Sequence, residues 1–497
     1  TRAITTEPTT LDPHGAAASG QNVILPYLLD TLIYRDINNN YHPYLAESWE
    51  VSPDGKTITF TLRKDILFHD GTQLNAAAVQ FTYQRALVEG SKSPLVSSFA
   101  NVEKIEVVGE DQVVFTLKRP SSTLFGTLST AYAGIISPTS VEQFGDQFGL
   151  NPIGSGAFKL ASWAPGEAIT LVRNEDYTWG PVVLSNTGAP YLDQLVFKVV
   201  PDASTQLTAF QSGEIDVFFI NQSSQINVLS EDPNAQLVEA TLNSLIYLGF
   251  NVKRAPFDNS QVRLAIAHAV DKDELISLAL GGIASRAFSP LAATLPGYDP
   301  SLQSLEPAYD PGQTETLLMR AGFERQNDGK WKQTTTGELL SLEILTSTRA
   351  PNESIATVLQ DQLSRVGIPV SIKTLDSTAA NELASKGDYQ AFLWRYDWND
   401  ADVLNVYLST ARIGSTNRTL YSNPEFDQIL ASAAAEMDES TRNQLYSQAQ
   451  RILIAEQPWI PLYTPKDYIA MRSSITGMLL GPMGRMVLTD AWLKPAE

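Results

Sequence analysis

Residues 192–220 constrain the fold more than any other stretch. Leu192 to Val200 is apolar on both faces, as a strand buried on both sides of a sheet would be. Pro201-Asp202 then opens a helix whose apolar side carries Leu207 and Phe210, and Gly213 is a natural terminator. Ile215 to Ile220 returns as a second apolar strand. Strand, helix and strand in succession predict an α/β sheet. The pattern recurs further on. Leu340 to Leu345 reads as a strand, and Glu353 to Val366 as a helix with Ile355, Val358, Leu359, Leu363 and Val366 inward. Pro369 to Lys373 reads as the next strand.

Two such regions fit a chain of 497 residues, which is too long for one hydrophobic core. Hydrophobic residues are 43% and charged residues 18%, the balance of an ordinary folded protein. Acidic residues number 55 against 35 basic, a formal charge of -20. That field repels phosphate backbones and anionic lipid, which argues against nucleic-acid and membrane-surface roles. Cysteine is absent, so disulfides, thiolate metal sites and a cysteine nucleophile are excluded. No run reaches the roughly 20 apolar residues of a membrane span. Leu275 to Ala284 comes nearest, and Gly281-Gly282 interrupts it. Thr1 is not a natural start, so a targeting segment, with any lipid-anchoring cysteine, is expected to have been removed.

The first third reads as structure throughout. Leu11-Asp12-Pro13-His14 is a turn, and Asn22 to Ile33 a helix. Pro53-Asp54-Gly55 is a turn leading into Thr57 to Leu62, whose alternation puts Ile58, Phe60 and Leu62 on one face of a strand. Leu74 to Leu87 is helical, with Val79, Tyr83 and Leu87 at four-residue spacing. Val102 to Val108 and Gln112 to Leu117 form a hairpin. Gly154-Ser155-Gly156 is not a phosphate loop, because no Gly-Lys-Ser/Thr ending follows. It reads as a tight entry into a strand from Ala157 to Leu160. Leu245 to Phe250 is another strand, and the polar stretch from Asn251 to Asn259 after it reads as a domain boundary.

Chemistry concentrates in Leu393-Trp394-Arg395-Tyr396-Asp397-Trp398-Asn399-Asp400, which follows a strand from Tyr389 to Leu393. Ligands of open α/β sheets sit outside the carboxyl ends of strands. Asp397 lies just after one such end and Arg349 just after another. A fixed anion and a fixed cation on one sheet margin suit a zwitterion. The plainer alternatives are an ion pair of Asp397 with Arg395, a Trp-rich core corner, and a solvated Arg349. His14, His42, His69 and His268 are far apart, and no zinc-helix, nucleophile-elbow or Walker pattern is present. No metal, cofactor or catalytic group is therefore expected, although a pair of glycosidase carboxylates has no signature to search for.

Further motifs run along the chain. They are Leu45-Ala46-Glu47-Ser48-Trp49-Glu50, Asp54-Gly55-Lys56-Thr57, Phe60-Thr61-Leu62-Arg63, Phe68-His69-Asp70-Gly71-Thr72 and Arg173-Asn174-Glu175-Asp176-Tyr177. Pro256-Phe257-Asp258, Val262-Arg263-Leu264-Ala265-Ile266 and Ala269-Val270-Asp271 follow. With Gly154-Ser155-Gly156-Ala157-Phe158, these resemble the family 5 extracellular solute-binding proteins of ABC importers, the peptide- and nickel-type group.

The resemblance implies an α/β, two-lobed periplasmic-binding-protein type II fold (cluster C) with an inserted domain and a hinge. Lobe I would comprise 1–33, 153–250 and 466–497, the insert 34–152, and lobe II 251–465. It implies a monomeric receptor and no catalysis. A peptide would be captured between closing lobes outside the cytoplasmic membrane, in the periplasm or on a lipid anchor, and passed to the transmembrane subunits of an ABC permease. Trp394-Arg395-Tyr396-Asp397 matches the family's Trp-x-x-Asp, so Asp397 inherits the ligand's α-ammonium and Trp394 the pocket wall. Arg349 occupies a place like that of the arginine holding a dipeptide carboxylate. Asn243 and Tyr463 sit where members touch ligand main chain, and Tyr396 and Trp398 extend the wall. Ala401 replaces a usual proline. An oligosaccharide is the rival ligand, stacked on Trp394, Tyr396 and Trp398 with Asp400 and Asp402 accepting hydroxyls. A nickel chelate and a hydrolase activity are the weaker alternatives.

Overall fold

The computed structural model describes residues 1–15, 20–220, 222–481 and 484–494. Two compact units divide the chain: Thr1–Ala240 with Asp467–Glu497, and Thr241–Lys466. The chain crosses from one to the other twice. The first crossing precedes the strand Ser244–Phe250 rather than following it, ten residues earlier than the sequence suggested. That strand is buried at every position and hydrogen-bonds along its whole length to Ala391–Asp397. Its uniform apolarity announced a central strand without saying of which sheet.

In the first unit the strand–helix–strand segment is Gln194–Val199, Ala203–Ser212 and Val217–Ile220. Asp202 caps the helix by accepting the Thr205 N–H at 2.8 Å, and Gly213 ends it at φ 85°. The two strands are not neighbours. Arg2–Ile4 lies between them, parallel to both. A separate antiparallel sheet runs in the order Ala46–Val51, Thr57–Leu62, Gln112–Leu117, Val102–Val108. Ile58, Phe60 and Leu62 are inward as their alternation required, and Ala76–Ala86 supplies Val79 and Tyr83 to the same interior. Gly154 and Gly156 are needed for close approach, not for an unusual φ. A Cβ on Gly156 would stand 2.4 Å from the Tyr27 carbonyl oxygen, and one on Gly154 2.4 Å from that of Leu28.

The second unit carries five strands that matter for the site. We number them β1 (Ser244–Phe250), β2 (Leu342–Ser347), β3 (Val370–Leu375), β4 (Ala391–Asp397) and β5 (Trp459–Arg472), the last belonging to this unit only as far as Lys466. Their order is β3, β2, β4, β1, β5, with β3, β2 and β4 parallel and β1 antiparallel to both β4 and β5. Helices cover both faces. Ile355, Leu359 and Leu363 of Asn352–Arg365 pack with Ile246, Leu248, Ile344 and Leu393 on one side. Leu404, Phe426, Leu430 and Tyr446 pack with Leu245, Tyr247, Phe392 and Tyr396 on the other. The carboxyl ends of β2, β3 and β4 therefore share one margin with Ser244 at the start of β1, which pairs with Asp397.

Candidate ligand-binding site

Strand β4 runs on through Asp397 instead of stopping at Leu393, so the strand's alternation governs the aromatic cluster. Ala391 and Leu393 face one core, and Phe392 and Tyr396 the other, with Trp394 partly buried against the second. By the same alternation Arg395 and Asp397 share the first face.

At that face the Asp397 side chain is 54% exposed. Arg395 grips it in a fork, Nε at 2.8 and 2.9 Å from the two carboxylate oxygens and Nη2 at 2.5 Å from Oδ1. The Ser244 hydroxyl donates to the same carboxylate and accepts from Arg395 Nη2 at 3.0 Å. Tyr463 lies two strands away, opposite Ile246, which is itself opposite Arg395. Burial pushes the Tyr463 hydroxyl pKa up, and the charges of Arg395 and Arg349 both pull against that shift. Arg349 thus stands within electrostatic reach of the same corner. Its side chain is exposed and makes no hydrogen bond or ion pair among the described residues.

Asn243 is 5% exposed, and its Nδ2 has no partner among the described residues. Its carbonyl accepts the Trp398 N–H at 3.0 Å, which fixes the loop leaving β4. Trp398 meets Tyr407 edge-on at 6.2 Å. On the second face, the Arg418 guanidinium lies 4.3 Å above the Trp394 ring.

Asp397, Arg349, Asn243 and Tyr463 are therefore gathered at one margin, with Trp398 at its edge. Trp394 is on the opposite face from Asp397. Tyr396, expected on the pocket wall, belongs to the core. It is 1% exposed, its hydroxyl donates to the Pro290 carbonyl at 2.9 Å, and it accepts the Ala292 N–H at 2.9 Å. Its donor and one acceptor position are thus spent within the core. Ser244, Tyr407 and Arg418 were not foreseen. Only Ser244 carried a signal, its place beside Asn243 at a strand start. Among the described residues no three His, Asp or Glu side chains gather as a metal would need, and no helix is long and apolar enough to cross a membrane.

Residues 40–415 match the family described as bacterial extracellular solute-binding proteins, family 5 Middle. The chain belongs to this family. It is 30% identical over 498 residues to the glutathione-binding protein GsiB of Salmonella choleraesuis (strain SC-B67), covering 98% of this chain and 93% of that protein. HbpA2 of Haemophilus parasuis has the same fold, with TM-score 0.88, 25% identity and 99% of each chain covered. A dipeptide-binding protein of Pseudoalteromonas sp. SM9913, in complex with Met-Leu, superposes with TM-score 0.75 at 26% identity, covering 99% of each chain. The α/β architecture is thus that of the periplasmic binding proteins, and this family 5 chain is a solute-binding protein of the ABC-transporter kind. Its relatives are binding components rather than enzymes.

Proposed function

We propose that this family 5 protein captures a short peptide outside the cytoplasmic membrane and hands it to an ABC permease. Asp397 receives the peptide's ammonium, and Arg349 its carboxylate. The observation that carries this is the Arg395–Asp397 fork. A guanidinium already occupies the accepting lone pairs of a half-exposed carboxylate, so the position is built for a cation that donates hydrogen bonds. An ammonium arriving there displaces Arg395. Arg349, unpaired among the described residues, supplies the opposite charge. Asn243 Nδ2, buried and without an acceptor among the described residues, suits a ligand carbonyl. Relatives named for glutathione and for a bound dipeptide support the same ligand class.

The oligosaccharide alternative draws less support. It needs open ring faces, yet Tyr396 is buried and Arg418 lies over Trp394. Hydrolysis also lacks support at this margin. The Ser244 hydroxyl is bonded to Asp397 and Arg395, and among the described residues no histidine hydrogen-bonds to it.

Calorimetry with Met-Leu, glutathione and a maltooligosaccharide tests the reading. Peptides should bind and the sugar should not. Asp397→Asn should weaken the bound peptide by about 10- to 100-fold, the loss of one charge-assisted hydrogen bond. Unchanged affinity in that variant, or binding of the sugar alone, would overturn it.

A further inference from the structure

The two oxygens of Asp397 are used differently. Among the described residues Oδ1 accepts from the Ser244 hydroxyl, from Arg395 Nε at 2.8 Å and from Arg395 Nη2 at 2.5 Å. Oδ2 accepts only the other branch of the same Arg395 Nε–H, at 2.9 Å. A carboxylate oxygen offers about two lone pairs, so Oδ1 is full and Oδ2 keeps room for a further donor.

Ser244 and Arg395 hold the carboxylate in different ways. Ser244 opens β1 directly opposite Asp397, so the two side chains leave the sheet on the same face. It is 1% exposed, and a single torsion places its oxygen, so the strand itself fixes that donor. Arg395 reaches the carboxylate through a long stem and is partly open to solvent. Its fork is the contact that an arriving ammonium replaces. Asp397 is the last residue of β4 and half exposed, so its carboxylate depends on these two neighbours for its orientation.

We propose that Ser244 is a positioning residue for ligand capture: it ties Oδ1 of Asp397 so that Oδ2 receives the peptide ammonium. This rests on the peptide reading above and names the atom that takes the charge. When Arg395 withdraws, the Ser244 hydroxyl is the donor that stays, in a charge-assisted bond to an ionised oxygen. Without it the ligand itself has to order the carboxylate, and that cost is subtracted from binding. Arg395 Nη2 also donates to the Ser244 hydroxyl, at 3.0 Å, but it keeps Oδ1, a charged acceptor, if the hydroxyl is removed. Loss of the hydroxyl therefore weakens the ligand-bound arrangement more than it weakens the Arg395 fork.

Calorimetry of Met-Leu and N-acetyl-Met-Leu against the native protein and Ser244→Ala tests this. The acetylated peptide has no ammonium and leaves Asp397 with Arg395 and Ser244, so its affinity reports the rest of the site. The ratio of the two affinities should fall by about three- to tenfold in Ser244→Ala. General damage to the fold would lower both affinities together and leave the ratio as it was. Thermal melting verifies that the variant is folded; if it is not, Ser244→Cys, whose thiol is a weak donor of similar shape, takes its place with the same expected fall. A ratio unchanged or raised in the folded variant overturns the proposal and leaves the peptide reading intact. Failure of the native protein to bind Met-Leu, or to prefer it to the acetylated form, removes the Asp397 reading and this inference together.

Discussion

Arg395 and Asp397, two positions apart on one face of β4, form a forked ion pair with Nη2–Oδ1 at 2.5 Å, and Ser244 bonds to both. The pair is half exposed, so its direct worth to stability is small, about 0–1 kcal/mol. Its consequence is for ligand choice. Arg395 already compensates the carboxylate that an ammonium would occupy.

Arg395→Gln should therefore sharpen discrimination. In the native protein an N-acetylated peptide leaves Asp397 paired with Arg395, which mutes the penalty for lacking an ammonium. Without the guanidinium that penalty is felt in full, so the affinity ratio of Ala-Ala to N-acetyl-Ala-Ala should rise by up to about tenfold. Calorimetry of both ligands against both proteins gives the ratio. A constant or falling ratio would mean that Arg395 and the ligand do not compete.

Tyr396→Phe tests the core placement. The substitution leaves the Pro290 carbonyl and the Ala292 N–H, both 2.9 Å from the lost hydroxyl, without partners. A loss of about 1–3 kcal/mol in unfolding free energy is expected, read from urea denaturation. Peptide affinity should stay within about twofold, since the hydroxyl lies outside the site.

Gly156→Ala should be among the more damaging single substitutions in the first unit. The added Cβ would meet the Tyr27 carbonyl oxygen at 2.4 Å and Leu28 backbone atoms at 2.5 and 2.7 Å, and backbone cannot step aside as a flexible side chain can. A loss of about 3 kcal/mol or more is expected, visible as a large fall in Tm. A Tm near that of the native protein would contradict the close approach.

Asp30 gives stability a distinct pH dependence. Its carboxyl is 1% exposed, and burial raises its pKa above the ordinary aspartate range despite donors from Tyr44, Trp179 at 2.9 Å and Ser155 at 3.0 Å. Folding therefore favours the protonated form. The contribution is fully present below the unfolded aspartate pKa and is lost as pH rises through the folded one. The stability of the native protein relative to Asp30→Asn should fall as pH rises above the ordinary aspartate range of about 4, followed by urea midpoints. A gap independent of pH would show that Asp30 is not the titrating group.

Much of the fold was legible locally. The alternation of Ile58, Phe60 and Leu62, the Asp202 cap and the Gly213 stop are each set by neighbours a few residues away, and each appears where the sequence put it. The family motifs likewise announced the α/β solute-binding architecture. Arg2–Ile4 was not legible. A three-residue strand has too little pattern to read, and its partners lie near residues 197 and 217. At the site, ending β4 at Leu393 hid the alternation that separates Trp394 from Asp397. A strand drawn four residues longer would have exposed it.

By itself the sequence determined the periodicities, caps and turns, and with them an α/β chain whose chemistry gathers after a strand near residue 397. Those features depend on contacts within one or two turns of chain. Only the tertiary structure decided that Tyr396 spends its hydroxyl on Pro290 and Ala292, that Arg395 holds Asp397, and that Arg418 covers Trp394. The physical reason is that a polar side chain takes its role from the donors and acceptors that folding brings to it. Spacing along the chain limits which residues share a strand face, but it does not say what packs against that face.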